Sequence, residues 1–329
     1  MSGPSTLYPL TFKPIFKERV WGGRSLEKLY HKALPPGARI GESWEISDRP
    51  GDVSVISNGP LAGKDLRWLM EHHERELLGK ARSQIGRFPL LIKLLDAEDK
   101  LSLQVHPPVE KAAALGGEPK TEMWYIAHAE PGAELFVGLK QGVTPAGFEK
   151  KLASGAVAEC FHRVPVGAGD AMFLPSGRVH AIGAGLVIFE IQQNSDTTYR
   201  VFDWNRVGLD GRPRELHLAQ SMASIDFTDF EPALVDTAFS SAGRFKIRPL
   251  ARHALFKADV FRALSAESII FRDPGLRIVA VLERQLTVTD GTLSVELGPG
   301  EFCLIPASVA VAELRNQVGS SFLLVQAGQ

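Results

Sequence analysis

Cysteine is nearly absent: Cys160 and Cys303 are the only two in 329 residues, and no CxxC pair occurs. Neither a disulfide framework nor a thiolate zinc site is expected of such a chain, and the compartment that fits is the cytoplasm. Charge of one sign is lacking as well. Lys and Arg number 37 against 38 Asp and Glu, the formal net charge is −1, and no Lys/Arg-rich run occurs. The electrostatic footprint of a nucleic-acid binder is therefore missing, and no nucleic-acid partner is expected. No apolar stretch approaches the roughly 18 residues of a membrane span. Met1 to Leu10 has no charged segment leading into an apolar one, so neither membrane insertion nor secretion is expected. A phosphate-binding G-x-x-x-x-G-K-[ST] loop is missing too, and Trp21-Gly22-Gly23 reads as a turn with Trp21 packed. What these absences leave is a small-molecule partner; a monomer or homodimer is expected, the sequence not deciding between them.

The rest of the chain is mostly short apolar runs broken by Gly, Pro, Asn and Asp, the pattern of an all-β sandwich or barrel. Helices read as insertions. One spans about 64–79, where Leu66, Leu69, Met70, Leu77 and Leu78 fall at helical spacing before Gly79. Another spans 144–153, opened by Thr144 as N-cap and Pro145 at the first helical position. A third follows Pro213, over about 213–224. His72 and His73 sit inside the first helix, where adjacent side chains diverge by about 100° and do not share a metal. An internal repeat matters more than the helices. Gly169 is followed after five residues by Pro175-Ser176-Gly177 and then His180, and Gly300 is followed after five residues by Pro306-Ala307-Ser308 and then Val311. The second copy keeps the glycine turn and the proline but has lost the histidine.

The segment Leu101-Ser102-Leu103-Gln104-Val105-His106 alternates apolar and polar residues. In an extended strand Ser102, Gln104 and His106 share one face, which suits a barrel with a packed outside and a wet interior. With Glu122 sixteen residues on and His180 in the repeat, these side chains form a set able to hold a metal ion. The plain alternative for His106 alone is a hydrogen-bonded core histidine. Lys120 stands two residues before Glu122 on what reads as the same strand, so its amine should enter the same cavity.

The G-x5-P-x-G-x2-H copy resembles the second motif of the cupin superfamily, and its recurrence resembles a two-cupin protein. Longer segments narrow the resemblance. Lys13-Pro14-Ile15-Phe16-Lys17-Glu18-Arg19-Val20-Trp21-Gly22-Gly23, Gly41-Glu42-Ser43-Trp44-Glu45-Ile46-Ser47, Phe88 to Ala97, Leu101 to Pro107 and Lys120-Thr121-Glu122-Met123-Trp124-Tyr125 together resemble the type I mannose-6-phosphate isomerases. The likeness runs from about residue 10 to about 225. It implies a mainly β fold of two jelly-roll (cupin) barrels with small helical insertions. The first, 1–240, would bind metal, and the second, 241–329, would be degenerate and without ligands.

The same resemblance implies one Zn²⁺ per chain held by Gln104, His106, Glu122 and His180. It also points to Glu190 and Arg200 beside Lys120 as catalytic residues, with Ser102, Lys120 and Arg200 touching substrate. The implied reaction interconverts mannose 6-phosphate and fructose 6-phosphate through a cis-enediol, with either Lys120 or Glu190 as the base. Two alternatives stay open at this level: an isomerase of an unphosphorylated sugar such as mannose, and a non-catalytic sugar-phosphate-binding cupin. Pro107-Pro108-Val109-Glu110 and Glu118-Pro119 depart from the family pattern and bear on the pocket rim rather than on the metal.

Overall fold

The computed structural model describes residues 7–328. Residues 1–6 of the N-terminal stretch read above, and the final residue of the 241–329 span, lie outside the described residues. The fold is mainly β, with strands paired antiparallel in four main sheets. A six-stranded sheet runs Ile15–Gly23, Ile40–Ile46, Leu90–Ala97, Leu186–Gln193, Glu122–Ala129, Ala171–Leu174, and a five-stranded sheet runs Tyr199–Phe202, Leu103–Val105, His180–Ile182, Glu134–Leu139, Phe161–Pro165. Residues beyond 239 form a second six-stranded sheet centred on Phe256–Ala263, Ser321–Ala327 and Arg277–Glu283, and a four-stranded sheet centred on Ala312–Asn316 and Leu286–Thr289.

Side-chain alternation explains how these sheets stack. Along Leu186–Gln193, Ile188 packs with Leu95, Trp124, Ile126, Leu135 and Ile182 between the first two sheets, while Phe189 and Ile191 on the other face join a different core. That second core also takes Phe256, Ile278, Phe302 and Leu323 from the C-terminal six-stranded sheet, with the Phe189 and Phe302 ring centroids 5.6 Å apart. All eight residues of LVIFEIQQ are buried because both faces of the strand are covered; the apolar ones serve the two cores, while Glu190, Gln192 and Gln193 are buried polar groups. Val279, Val281, Cys303 and Phe322 fill the space between the last two sheets with Val288 and Leu314.

The sequence repeat is a structural one. Gly169 N donates to Ile126 O at 2.8 Å and Gly300 N to Val281 O at 2.9 Å. Asp170 accepts from Gly167 N at 2.8 Å just as Glu301 accepts from Gly298 N at 2.7 Å. Gly169 and Gly300 both sit at positive φ, 94° and 75°, where a side chain would be strained. The N-terminal segment serves both halves: Leu10 pairs with Leu304, whereas Ile15–Gly23 pairs with Ile40–Ile46.

Two helices form where expected, Leu66–Leu78 capped by Asp65 and Pro145–Ala153 capped by Thr144. The third is shorter than expected, Leu218–Ser224. Residues 213–217 are not helical, and their backbone is tied to the neighbouring strand: His217 N donates to Arg200 O at 2.8 Å and Glu215 O accepts from Arg200 Nη1 at 2.7 Å. Short helical turns at Ser25–Tyr30, Val109–Ala112 and Val157–Cys160 were not signalled by periodicity, being too brief to show one. Among the described residues no helix is long and apolar enough to cross a membrane. Gly22 and Gly23 end a strand instead of making a turn, and a Cβ on Gly22 would stand 2.4 Å from Gly41 N. The glycine there permits close approach of two backbones.

Candidate functional site

The polar stripe lies where the two N-terminal sheets face each other. Its regular strand is only Leu103–Val105, so Ser102 and His106 flank it rather than belong to it. Gln104 is the register partner of His180 on one side and of Arg200 on the other. Glu122 opens its own strand, and Lys120 precedes that strand instead of lying on it. Lys120 still reaches the site, its Nζ 2.6 Å from Glu122 Oε2 and 3.4 Å from His106 Nε2.

His106, Glu122 and His180 bring one donor atom each to within 4.8 Å of one another, all buried. His106 Nδ1–H donates to Thr197 O at 2.8 Å and His180 Nδ1–H to Arg178 O at 2.9 Å. Those carbonyls fix the tautomer and leave each Nε2 lone pair facing the centre, the usual outer support of a metal-binding imidazole. Gln104 Nε2 lies 3.3 Å from His180 Nε2, and turning the amide by 180° would present Oε1 to the same centre. Both Glu122 carboxylate oxygens are buried and receive no aligned hydrogen bond despite the ion pair with Lys120. A buried anion with unsatisfied lone pairs among neutral imidazoles is what a divalent cation would complete. Imidazole nitrogen and carboxylate oxygen donors of this kind fit the borderline-soft Zn²⁺.

The electrostatics agree with that donor set. Burial pushes His180 down to about 3, and burial with Lys120 lowers His106, so both rings are neutral, the form that binds a metal. Burial alone would raise Glu122, but Lys120 and His106 hold it well below the usual carboxylate range. Lys120 has the reverse balance: burial opposes its charge, yet Glu122 and Glu190 keep its ammonium above the ordinary lysine value. Glu190 is raised by burial, only partly offset by Lys120 and Lys93.

A chain of alternating charge leads away from this centre. Lys120 Nζ is 3.9 Å from Glu190 Oε1, Lys93 Nζ is 3.4 Å from the same oxygen and 3.5 Å from Glu42 Oε2, and Arg19 Nε is 2.8 Å from Glu42 Oε1. Two indoles pin the carboxylates, Trp124 Nε1 donating to Glu190 Oε2 at 2.9 Å and Trp44 Nε1 to Glu42 Oε2 at 2.6 Å. The motifs that contain Lys93 and Glu42 carry the family resemblance without marking either residue as functional. Their signal was a lone lysine inside Leu90-Leu91-Ile92-Lys93-Leu94-Leu95, a strand buried at every position. Buried charges are found where they are paired or functional.

Above the centre opens a cavity of about 550 Å³ whose wall includes Ser102, Gln104, Lys120, Glu190 and Arg200. All the residues singled out for catalysis and substrate contact therefore meet one space. Ser102 is buried and donates to Gln104 Oε1 at 3.3 Å. The wall also takes in Trp21, Asp196, Thr198 and the segment Gly208, Leu209, Asp210 and Arg214, none of which spacing could place there. Phe161-His162-Arg163 lies away from this wall, with Arg163 paired to Glu134 at 2.5 Å. Trp68 stacks on His72, in keeping with a helix-surface role.

Comparison with known proteins meets the same picture. The model of the phosphomannose isomerase type I catalytic domain matches residues 10–118. The chain is 36% identical over 313 residues to the mannose-6-phosphate isomerase ManA of Bacillus subtilis, covering 94% of this chain and 97% of that one. It is also 36% identical over 302 residues to the mannose-6-phosphate isomerase of Streptococcus mutans, covering 92% and 93%. Among solved structures, the mannose 6-phosphate isomerase of Bacillus subtilis superposes with a TM-score of 0.88 at 29% identity, over 97% of this chain and all of that one. A mannose 6-phosphate isomerase crystallised with zinc and yttrium shares the fold at a TM-score of 0.75 and 18% identity, over 98% and 100%.

Proposed function

This chain belongs to the type I mannose-6-phosphate isomerases, and we propose that its site performs their aldose–ketose isomerisation with Zn²⁺ held by Gln104, His106, Glu122 and His180. The substrate pair is mannose 6-phosphate and fructose 6-phosphate. The observation that carries the reading is the meeting of three metal donors within 4.8 Å with Lys120 and Glu190 at the wall of one cavity.

The reaction moves a proton between C2 and C1 of the opened sugar through a cis-enediol, so it needs a group to take and return a proton and a means of holding oxyanion charge. Bound zinc supplies Lewis acidity for the substrate oxygens. Lys120 and Glu190, 3.9 Å apart, form the pair that holds and moves the proton. Coupling of this closeness makes the proton a property of the pair. Lys93 and Trp124 hold Glu190 in place. Arg200 stands beside Gln104 in register and offers its guanidinium to the anionic parts of the substrate.

The division at residue 240 into a metal-bearing barrel and a ligand-free one belongs to the same proposal. It is supported by the sheet order and the repeated turn, while the shared core around Phe189 and Phe302 joins the halves. A cytoplasmic location accords with the two unpaired, buried cysteines. The test is a coupled isomerase assay with metal analysis on the same sample, together with deuterium exchange at C1 and C2. Turnover with about one zinc per chain is expected. Zinc-loaded protein that binds mannose 6-phosphate without exchanging those protons would instead be a sugar-phosphate-binding protein.

A further inference from the structure

We propose that Arg214, carried on the segment that follows the Tyr199–Phe202 strand, is a second cation for the phosphate end of the sugar phosphate and sets the preference for phosphorylated over free sugar. The proposal rests on the isomerase reading for the identity of the sugar, but not for the phosphate contact itself.

The cavity has a deep end and a mouth. At the deep end every cation is matched by a carboxylate: Lys120 by Glu122 and Glu190, Lys93 by Glu190 and Glu42, Arg19 by Glu42. Near the mouth the balance changes. Among the described residues Arg200 has no carboxylate ion-pair partner; its Nη1 donates to a backbone carbonyl, Glu215 O, and its Nε is buried without a partner. Arg214 spends Nε and Nη2 on Asp203, at 2.6 and 2.5 Å, and its Nη1 has no such tie. Arg206 draws on the same carboxylate at 3.0 Å and on Asp99 at 3.2 Å, so one buried Asp203 serves two guanidiniums, while burial first and the nearby Arg214 second disfavour the charge of Arg200. Asp196 and Asp210 also face the mouth, Asp210 Oδ1 accepting from Arg212 N at 3.0 Å.

A hexose 6-phosphate carries its dianion at the carbon farthest from C1 and C2. With C1 and C2 at the metal centre, the phosphate lies toward the mouth, where Arg200 has no carboxylate partner and Arg214 keeps Nη1 unspent despite the nearby Asp196 and Asp210. Asp203 acts as a positioning residue: it is 5% exposed and holds Arg214 by two parallel hydrogen bonds that leave the remaining edge of the guanidinium for the ligand. The non-helical course of residues 213–217, tied to Arg200 through His217 and Glu215, places Arg214 beside Arg200 and would be lost in a helix.

The experiment is calorimetric titration of zinc-loaded wild type and R214Q with mannose 6-phosphate, free mannose and inorganic phosphate. Loss of one charge-assisted contact should weaken mannose 6-phosphate and inorganic phosphate by about tenfold while leaving free mannose unchanged. R214K, which keeps the charge but not the fork, should fall between them, and it gives the same comparison should R214Q fail to fold. Unchanged phosphate affinity, or an equal loss for free mannose, would overturn the proposal. Turnover is read separately: wild type that binds phosphate through Arg214 yet isomerises nothing refutes the isomerase reading alone, and an active enzyme indifferent to R214Q and R214K refutes this one alone.

Discussion

Arg277 occupies in the C-terminal pair of sheets the register position that Glu122 occupies in the N-terminal pair. Glu122 pairs with Leu174 and Gln192, and Arg277 pairs with Ile305 and Gln326, with Leu174 and Ile305 each one residue before the repeat's proline. Where the first half has a buried carboxylate, the second has a buried guanidinium lying 4.7 Å from the Phe271 ring centre and donating to Asp273 Oδ2 at 2.6 Å and Gly275 O at 3.0 Å. A fixed cation stands where the metal's anionic ligand would be, so the second half lacks more than its histidine. Val311, the counterpart of His180, is 40% exposed.

Arg277→Ala should therefore cost stability without touching the chemistry. It removes a buried stem stacked on Phe271 and the donors that tie down Asp273 and Gly275, a loss of about 2 kcal/mol. Urea unfolding should show the shift, and zinc content and turnover per folded molecule should match wild type. A loss of zinc would contradict the independence of the two halves' interiors.

Ligand and substrate roles separate by metal analysis. His180→Ala and Glu122→Gln should each weaken zinc binding by more than about 100-fold, since even the outer partners of a ligand cost 10–100-fold. Arg200→Ala should retain about one zinc per chain while lowering turnover. Full zinc occupancy in His180→Ala would remove that residue from the ligand set.

Gly22→Ala tests the close approach of the Ile15–Gly23 and Ile40–Ile46 strands. Its Cβ would meet Gly41 N at 2.4 Å and Ile40 C at 2.6 Å, both backbone atoms that cannot swing aside. Overpacking of this kind costs about 1–3 kcal/mol. A variant as stable as wild type in thermal unfolding would show that the strands separate freely.

Glu42 predicts a pH dependence of stability. Burial would raise its carboxyl, but Lys93 and Arg19 bring it down from 4.5 to about 2. A depressed folded value means that the contribution is fully present above the unfolded pKa near 4.5 and is lost as pH falls toward 2. At about 1.4 kcal/mol per pKa unit the amount is on the order of 3 kcal/mol. Glu42→Gln should flatten the acid limb of a stability-against-pH curve between those values, and an identical slope in the two proteins would refute the assignment.

Much of the site was legible because its logic is local. Gln104 and His106 are two apart on an extended segment, and the turn from Gly169 to His180 carries its own glycine and proline punctuation. The helices Leu66–Leu78 and Pro145–Ala153 announced themselves through caps and apolar spacing. The helix after Pro213 did not start where its residues allow, because their hydrogen bonds go to Arg200 instead. Trp21-Gly22-Gly23 looked like a turn because glycine has two uses, and only the neighbouring strand shows which one applies.

By itself the sequence determined the donor types, their order along the chain, the β character and the unequal repeat. Tertiary structure alone decided that Lys93 and Glu42 continue the charge chain from Lys120, that Arg214 reaches the cavity, and that Arg277 stands in for Glu122. The physical reason is the range of the forces involved. Alternation and turn chemistry act between near neighbours, whereas register between Gln104 and His180, or between Lys93 and Glu190, is set only when ladders close and both faces of a sheet are buried at once.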